Sequence, residues 1–281
     1  MKKICLLLIL VMLFSMTACR KTPPQQTTAP TPTTEATTEA TTEATTVPTT
    51  EATVPETTAP VLVTLYIPKE ITIYGPDGKA YATATYHFED DWAEKASFAV
   101  SCATDIAGEG KLDMTFAYGD KSMVSEQTGI SKNEVYYDDL GRVIRQVVTP
   151  SATSGATKTE TNTTYDAQGR LLTVETKTDS ASQTVTYTYT NTDTGSKGTA
   201  ANSGITYEVE YDKNNRLLKN ITTANGQEVS RIENTYDENG NVISSVQYAQ
   251  GQMLMETKTA YTAVEVSEEA AARLPQFRKG N

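Results

Sequence analysis

The residues with which this 281-residue chain could do chemistry are few: one histidine, three cysteines and some clustered carboxylates. His87, in "TYHFED", alternates with Tyr86 and Phe88 and reads as a solvated histidine on a strand. Cys102 follows Phe98 and Val100 at period two in "SFAVSCA", which suits a small buried hydrophobe. No basic residue stands near it in sequence to stabilise a thiolate. Structural zinc would need ligands that the chain lacks. Asp237, Asn239 and Asn241 are spaced like the start of a calcium loop. The pattern fails at Val242, where glycine is needed, and at Tyr248, where a bidentate glutamate belongs. Glu89, Asp90, Asp91 and Glu94 read as a solvated acidic turn. There is no phosphate loop and no Gly-x-Ser-x-Gly elbow. The expectation is therefore no catalytic, cofactor-binding or metal-binding residue, and no enzyme. A hydrolase-like surface enzyme whose site forms only in three dimensions stays open as the alternative.

Cys19 has a different kind of chemistry. "MKKICLLLILVMLFSMTAC" opens with Lys2 and Lys3, runs apolar from Ile4 to Met16 and ends in small residues. That is a secretory leader, too short for a comfortable membrane span. "MTAC" resembles the lipobox of bacterial lipoproteins, with Met16 where that family more often has leucine. The resemblance implies cleavage after residue 18 and acylation of Cys19, including palmitate. A diacylated cysteine is a two-chain anchor, strong enough to hold a protein on a membrane. The membrane, reached through Cys19, is thus the first expected partner, and the extracytoplasmic face of a bacterial membrane the expected location. Cys5 leaves with the leader, so Cys102 has no partner for a disulfide, and packing must hold the domain.

Charge narrows the partners further. The chain has 24 basic and 35 acidic residues, a net charge of −11. Loss of Lys2 and Lys3 leaves 22 against 35, or −13. Such a surface repels phosphate backbones, so nucleic acid is not an expected partner.

The elements that must position any site begin only after residue 60. Residues 19–60 are mostly Thr, Pro, Ala and Glu, with "TTEATTEATTEATT" repeating every four residues. Nothing in that stretch can form a core, so it is expected to be a disordered spacer behind the anchor. It would span about 130 Å fully extended and about 35 Å as a loose coil. From Val61 the texture changes. Ile205, Tyr207, Val209 and Tyr211 alternate with Thr206, Glu208 and Glu210, a period-two strand signature. Turn signals such as "PDG", "AGEG", "DLG", "AQG", "ANG" and "ENG" recur about every ten residues. Residues 61–281 are expected to be one all-β domain. In "SEEAAARL", Ser267 caps a short helix over about 267–274, stopped by Pro275 and expected to cover the last sheet edge.

Within that domain one block keeps returning: "YYDDLGRVI", "TYDAQGRLL", "EYDKNNRLL" and "TYDENGNVI". Tyr137, Tyr165, Tyr189, Tyr211, Tyr236 and Tyr261 are 28, 24, 22, 25 and 25 residues apart, one hairpin step per repeat. Tyr189 and Tyr261 are degenerate copies. "YGPDGK" at Tyr74 is another, and Phe88 and Tyr118 are weaker candidates. The block predicts a three-residue hairpin loop. Asp accepts from the turn amides, and Gly three residues later closes the turn in the left-handed conformation. Asn215 replaces that glycine with the residue best suited to the same backbone. In this register Asp138, Asp166 and Asp212 face Arg142, Arg170 and Arg216, while Asp237 faces Asn241. Tyr137 meets Val143, Tyr165 meets Leu171, Tyr211 meets Leu217 and Tyr236 meets Val242. The second apolar residue of each doublet, Ile144, Leu172, Leu218 and Ile243, then forms a row on the opposite face. The row is expected to be covered as the sheet curls, with a docking stripe as the other reading.

The block resembles the YD repeat of the Rhs, teneurin and insecticidal toxin-complex families, well from Tyr137 to about Tyr261 and poorly from Tyr74 to Tyr118. The resemblance implies a twisted antiparallel β-meander of YD hairpins. The chain has too few copies for a large toxin-enclosing shell. The function expected from leader, spacer and repeats is a membrane-anchored surface binding or scaffold module, with an extracellular protein or glycan as its ligand class. An Rhs-related toxin or immunity role is the further alternative.

Overall fold

The computed structural model describes residues 61–87, 99–106, 110–127 and 129–278, with backbone alone at 87, 99–106 and 110–114. The leader, Cys19, the spacer and the acidic cluster Glu89–Glu94 lie outside the described residues, as does the candidate copy at Phe88.

Alternation of apolar and polar residues produces strands almost throughout. They are β1 Leu62–Tyr74, β2 Ala80–His87, β3 Ala99–Ile106, β4 Gly110–Gly119, β5 Ser122–Gln127 and β6 Ser131–Tyr137. Next come β7 Val143–Pro150, β8 Thr159–Tyr165, β9 Leu171–Thr178, β10 Ser182–Thr186, β11 Thr188–Thr192 and β12 Gly195–Asn202. The last are β13 Ile205–Asp212, β14 Leu217–Ala224, β15 Gln227–Tyr236, β16 Val242–Ala249 and β17 Gln252–Ser267. Helix α1, Glu268–Arg273, and a 3-10 turn, Pro275–Phe277, follow. The all-β antiparallel meander with one short C-terminal helix is as the sequence predicts.

Each strand pairs antiparallel with the next, with one exception. β10 pairs with β9, whereas β11 pairs with β12. The two are halves of one strand, handed over at buried Tyr187, whose N–H donates to Leu172 O at 2.9 Å. At the other extreme β1 pairs with β17 from Leu62↔Ser267 to Tyr74↔Glu256. The circuit is therefore closed: counting β10 and β11 as one, sixteen strands among the described residues form an even antiparallel ring. Closure leaves no long edge to template aggregation. Pro68, which cannot donate to a ladder, sits at the register shift between Pro68 and Glu70.

Alternate hairpins fall at alternate ends of the ring. One end carries the Asp-x-x-Gly loops between β6 and β7, β8 and β9, and β15 and β16, with the Asp-x-x-Asn loop between β13 and β14. The other carries two-residue turns at Ser203–Gly204, Asn225–Gly226 and Gln250–Gly251, each with both residues at positive φ.

Two core clusters lie within the circuit. One gathers Leu65, Ile67, Phe116, Met123, Val135 and Tyr137 with Ala271, Leu274 and Phe277 of the C-terminal segment. The other gathers Val185, Tyr187, Ala200, Val209 and Tyr211. Burial of each large apolar side chain contributes about 1.5–3 kcal/mol.

The helix forms where the sequence predicts. Ser267 Oγ accepts from Ala270 N–H at 3.2 Å, with Glu268 and Glu269 in the first turn and Arg273 in the last. Its role differs from the expectation, however. The edge of β17 is already taken by β1, so α1 covers no free edge. It folds instead onto the first core cluster: Lys121 N–H donates to Arg273 O at 2.9 Å, and Leu65 bridges to Arg278.

Candidate functional site

The recurrent turns are built as the spacing predicts. Asp138 Oδ1 accepts from Leu140 N–H at 3.0 Å and Arg142 N–H at 2.9 Å, while Oδ2 accepts from Arg142 Nε at 2.7 Å. Asp166 and Asp212 repeat the pattern with Arg170 and Arg216, and Asp237 repeats it with Asn241 Nδ2 at 2.9 Å. Gly141, Gly169, Asn215 and Gly240 have φ of +74°, +82°, +56° and +85°. The four tyrosine–aliphatic pairs occur in the expected register, each beside a bulge.

A second function of these residues was not legible from the hairpin alone. Each arginine also stacks on the tyrosine of a following repeat. Arg142 lies 4.5 Å from the Tyr165 ring centre, Arg170 4.1 Å from Tyr189 and Arg216 5.1 Å from Tyr236. Each of those tyrosines donates its hydroxyl hydrogen back to the earlier repeat: Tyr165 to Val143 O at 2.9 Å, Tyr189 to Leu171 O at 2.7 Å, Tyr236 to Leu217 O at 2.8 Å. Tyr261 does the same to Val242 O at 3.2 Å. The Asp orients the Arg, the Arg holds the next ring, and the ring's hydroxyl satisfies a carbonyl beside the first turn. Each latch combines a cation–π contact of about 0.5–2 kcal/mol with a hydrogen bond of about 1 kcal/mol.

The degenerate copies divide on this criterion. At Tyr74 the geometry survives without Asp: Gly75 N–H donates to Lys79 O, Gly78 has φ +73°, and Tyr74 pairs with Ala80. Tyr189 keeps the latch but loses the turn, pairing with Gly198 beneath its ring, where a side chain would collide. Tyr118 is no copy, because Asp120 and Lys121 make a two-residue turn between Gly119 and Ser122.

The other candidates are dispersed. Asp237, Asn239 and Asn241 are consumed by their turn, and Asn239 Oδ1 accepts from Tyr66 OH at 3.1 Å. The backbones of His87 and Cys102 fall on neighbouring strands, opposite Ser101 and Tyr86 respectively. Among the described residues no group of three His, Cys, Asp or Glu side chains is placed to hold a metal ion. None of the described helices is long and apolar enough to cross a membrane. The apolar row is covered only in part: Ile144, Leu172 and Ile243 are 40, 39 and 37% exposed and Leu218 is half-buried, because alternation along each strand turns them to the face opposite the core.

Sequence reasoning missed one feature altogether. A cavity of about 40 Å³ lies between the 3-10 turn and strands β1, β2, β4, β5, β6 and β17. Tyr86, Tyr118, Tyr137 and Phe277 contribute rings to its wall, and Gln276 lines it. Gln276 is 4% exposed, yet neither end of its carboxamide has a hydrogen-bond partner. Burial pushes the Tyr137 hydroxyl well above the ordinary phenol value, so it stays neutral. The only trace in sequence is one polar residue set between apolar neighbours in "LPQF".

No protein-family model and no curated protein matches the sequence. Among solved structures, the fold is similar to a porin-like protein from Bacteroides uniformis. That alignment has 11% identity, covers 69% of this chain and 98% of the other, and has a TM-score of 0.38. A protein from Bacteroides fragilis, described as exported and of YmcC-like fold, aligns at 10% identity over 70% of this chain and 99% of its own, with a TM-score of 0.32. At that distance neither likeness bears on function.

Proposed function

We propose that the chain is a lipid-anchored bacterial surface protein whose β domain, a closed ring of YD-type hairpins, serves as an extracellular binding or scaffold module. The anchor half of this reading is supported by the leader, the "MTAC" stretch and the Thr-rich spacer. The scaffold half is supported by one structural observation: the Asp, Arg and Tyr side chains of the recurrent turns are engaged with one another, turn to turn. Groups held in charge-assisted pairs and stacked on rings are committed to rigidity. A rigid ring on a tether of this length presents its surface away from the membrane.

The full chain expressed in a bacterium is expected to incorporate radiolabelled palmitate and to sediment with membranes. Cys19→Ala is expected to do neither. Wild-type protein without label, or Cys19→Ala fractionating unchanged, would remove the anchored reading.

A further inference from the structure

We infer that Asn225, at the tip of the turn between β14 and β15, is a site of covalent modification, where the folded chain loses ammonia and gains aspartate and isoaspartate. The inference lies outside the binding role proposed above and does not rest on it. The chemistry needs only two neighbouring residues and water. The backbone nitrogen of the residue after an asparagine attacks the asparagine Cγ. A Cγ–N bond forms and the Cγ–Nδ2 bond breaks. The proton given up by the backbone amide returns through solvent to Nδ2, which leaves as ammonia. Water then opens the five-membered imide. Opening at Cγ gives aspartate; opening at the main-chain carbonyl gives isoaspartate, whose backbone runs through Cβ and Cγ. A following glycine favours the attack because it has no side chain to hinder the closing ring.

The chain has two Asn–Gly steps, and the fold treats them oppositely. Asn239–Gly240 lies at the Asp-bearing end, half-buried, and the groups that the reaction needs are held. Gly240 N–H, the attacking nitrogen, donates to Asp237 O at 3.2 Å. Asn239 N–H donates to Asp237 Oδ1 at 2.9 Å, and Asn239 Oδ1 accepts from Tyr66 OH at 3.1 Å. The imide can close there only after these bonds open, so the rate is scaled down by the small population of the opened turn. Asn225–Gly226 lies at the opposite end, and both residues are exposed. Asn225 N–H reaches Gly204 O at 3.4 Å, a long contact that leaves the attacking nitrogen alone. Among the described residues neither Gly226 N–H nor the Asn225 carboxamide has a hydrogen-bond partner. The φ values of +52° and +78° must relax for the nitrogen to reach Cγ, and there is room for it: a Cβ at Gly226 would meet nothing within 4 Å. Either product adds a negative charge, and isoaspartate lengthens the loop between Ala224 and Gln227, which pair across the turn.

The test is incubation of the full folded chain at pH 8.5 and 37 °C, with a guanidinium-unfolded sample as the second arm. Peptide mass spectrometry reads conversion at each asparagine, and enzymatic methyl transfer reads isoaspartate. In the folded chain Asn225 is expected to convert about tenfold or more faster than Asn239. In the unfolded chain the two are expected to convert at similar rates, which assigns the difference to the fold. Asn225→Gln, which can close only a slower six-membered ring, is expected to bring isoaspartate in the folded chain down to background. Equal rates at the two sites in the folded chain would overturn the inference. So would an Asn225 that stays intact in the folded chain, whether or not it converts when unfolded, because the tight turn would then protect it. Each outcome leaves palmitate incorporation, and with it the anchored reading, untouched.

Discussion

The two ends of the ring turn the chain by the same backbone device and use it differently. At Ser203–Gly204, Asn225–Gly226 and Gln250–Gly251 the left-handed conformation reverses a strand and nothing more. At Gly141, Gly169, Asn215 and Gly240 it also places an Asp and, at three of the four, an Arg that grips a later repeat. Local geometry makes a hairpin. Side chains that reach past it join hairpins into a ring. The end rich in Asp, Arg and Tyr is also the end at which the C-terminal segment is folded in.

The comparison is broken most severely by adding one carbon at each end. A Cβ at Gly141 would sit 2.5 Å from Pro275 O, on a residue with φ +74°. At Gly226, with φ +78°, it would meet nothing within 4 Å. Gly141→Ala should therefore cost about 3 kcal/mol, from left-handed strain plus overpacking, and Gly226→Ala about 1–2 kcal/mol from strain alone. Urea denaturation of the two variants measures the difference, and equal losses would deny that the C-terminal segment docks on the Asp-bearing end.

Alkali sharpens the same contrast, since the three two-residue turns contain no titratable side chain. Burial pushes Tyr187 up to about 12 and raises Tyr137 and Tyr189 further above the ordinary value near 10. Below pH 10 folded and unfolded chains are both protonated at these sites, and stability is unaffected. Above it the unfolded chain loses protons that the folded chain keeps, so stability falls as pH rises from 10 towards 12. The decline should be on the order of 1 kcal/mol per pH unit for each of the buried Tyr137 and Tyr187, and smaller for the half-buried Tyr189, which water screens. A melting temperature flat from pH 9 to 11.5 would count against their burial.

The smallest effect is expected on the exposed row. Ile144→Thr should change stability by less than about 0.5 kcal/mol, as at an ordinary surface position. A loss above about 1.5 kcal/mol in thermal unfolding would show the row to be covered after all.

How much of this could be read in advance follows from where each signal lies. The Asp138–Gly141–Arg142 turn was legible because all its partners fall within seven residues, and Asn215 confirmed the backbone requirement by substitution. The strand class was legible in the alternation from Ile205 to Tyr211. Closure was not, since the pairing of β1 with β17 joins the two ends of the domain and leaves no local pattern. The Arg170–Tyr189 contact was hidden for the same reason. Tyr189 looked like a poor copy of the turn because its "YTNTDTG" has Thr190 where the other copies have Asp and no Arg after the turn, although its ring keeps the contact with the preceding repeat. "YGDK" at Tyr118 misled in the other direction: it has the letters but only two residues in which to turn. Gln276 was invisible because an unpaired amide is a property of what surrounds it.

The account depends most on the latch between repeats, and a double-mutant cycle on Arg170→Met and Tyr189→Leu tests it directly. Arg170 is largely buried against the Tyr189 ring at 4.1 Å, so the two should be coupled by about 1–2 kcal/mol in equilibrium unfolding. Additive losses, with a coupling indistinguishable from zero, would mean that the repeats merely lie side by side and that the arginines serve their own turns alone.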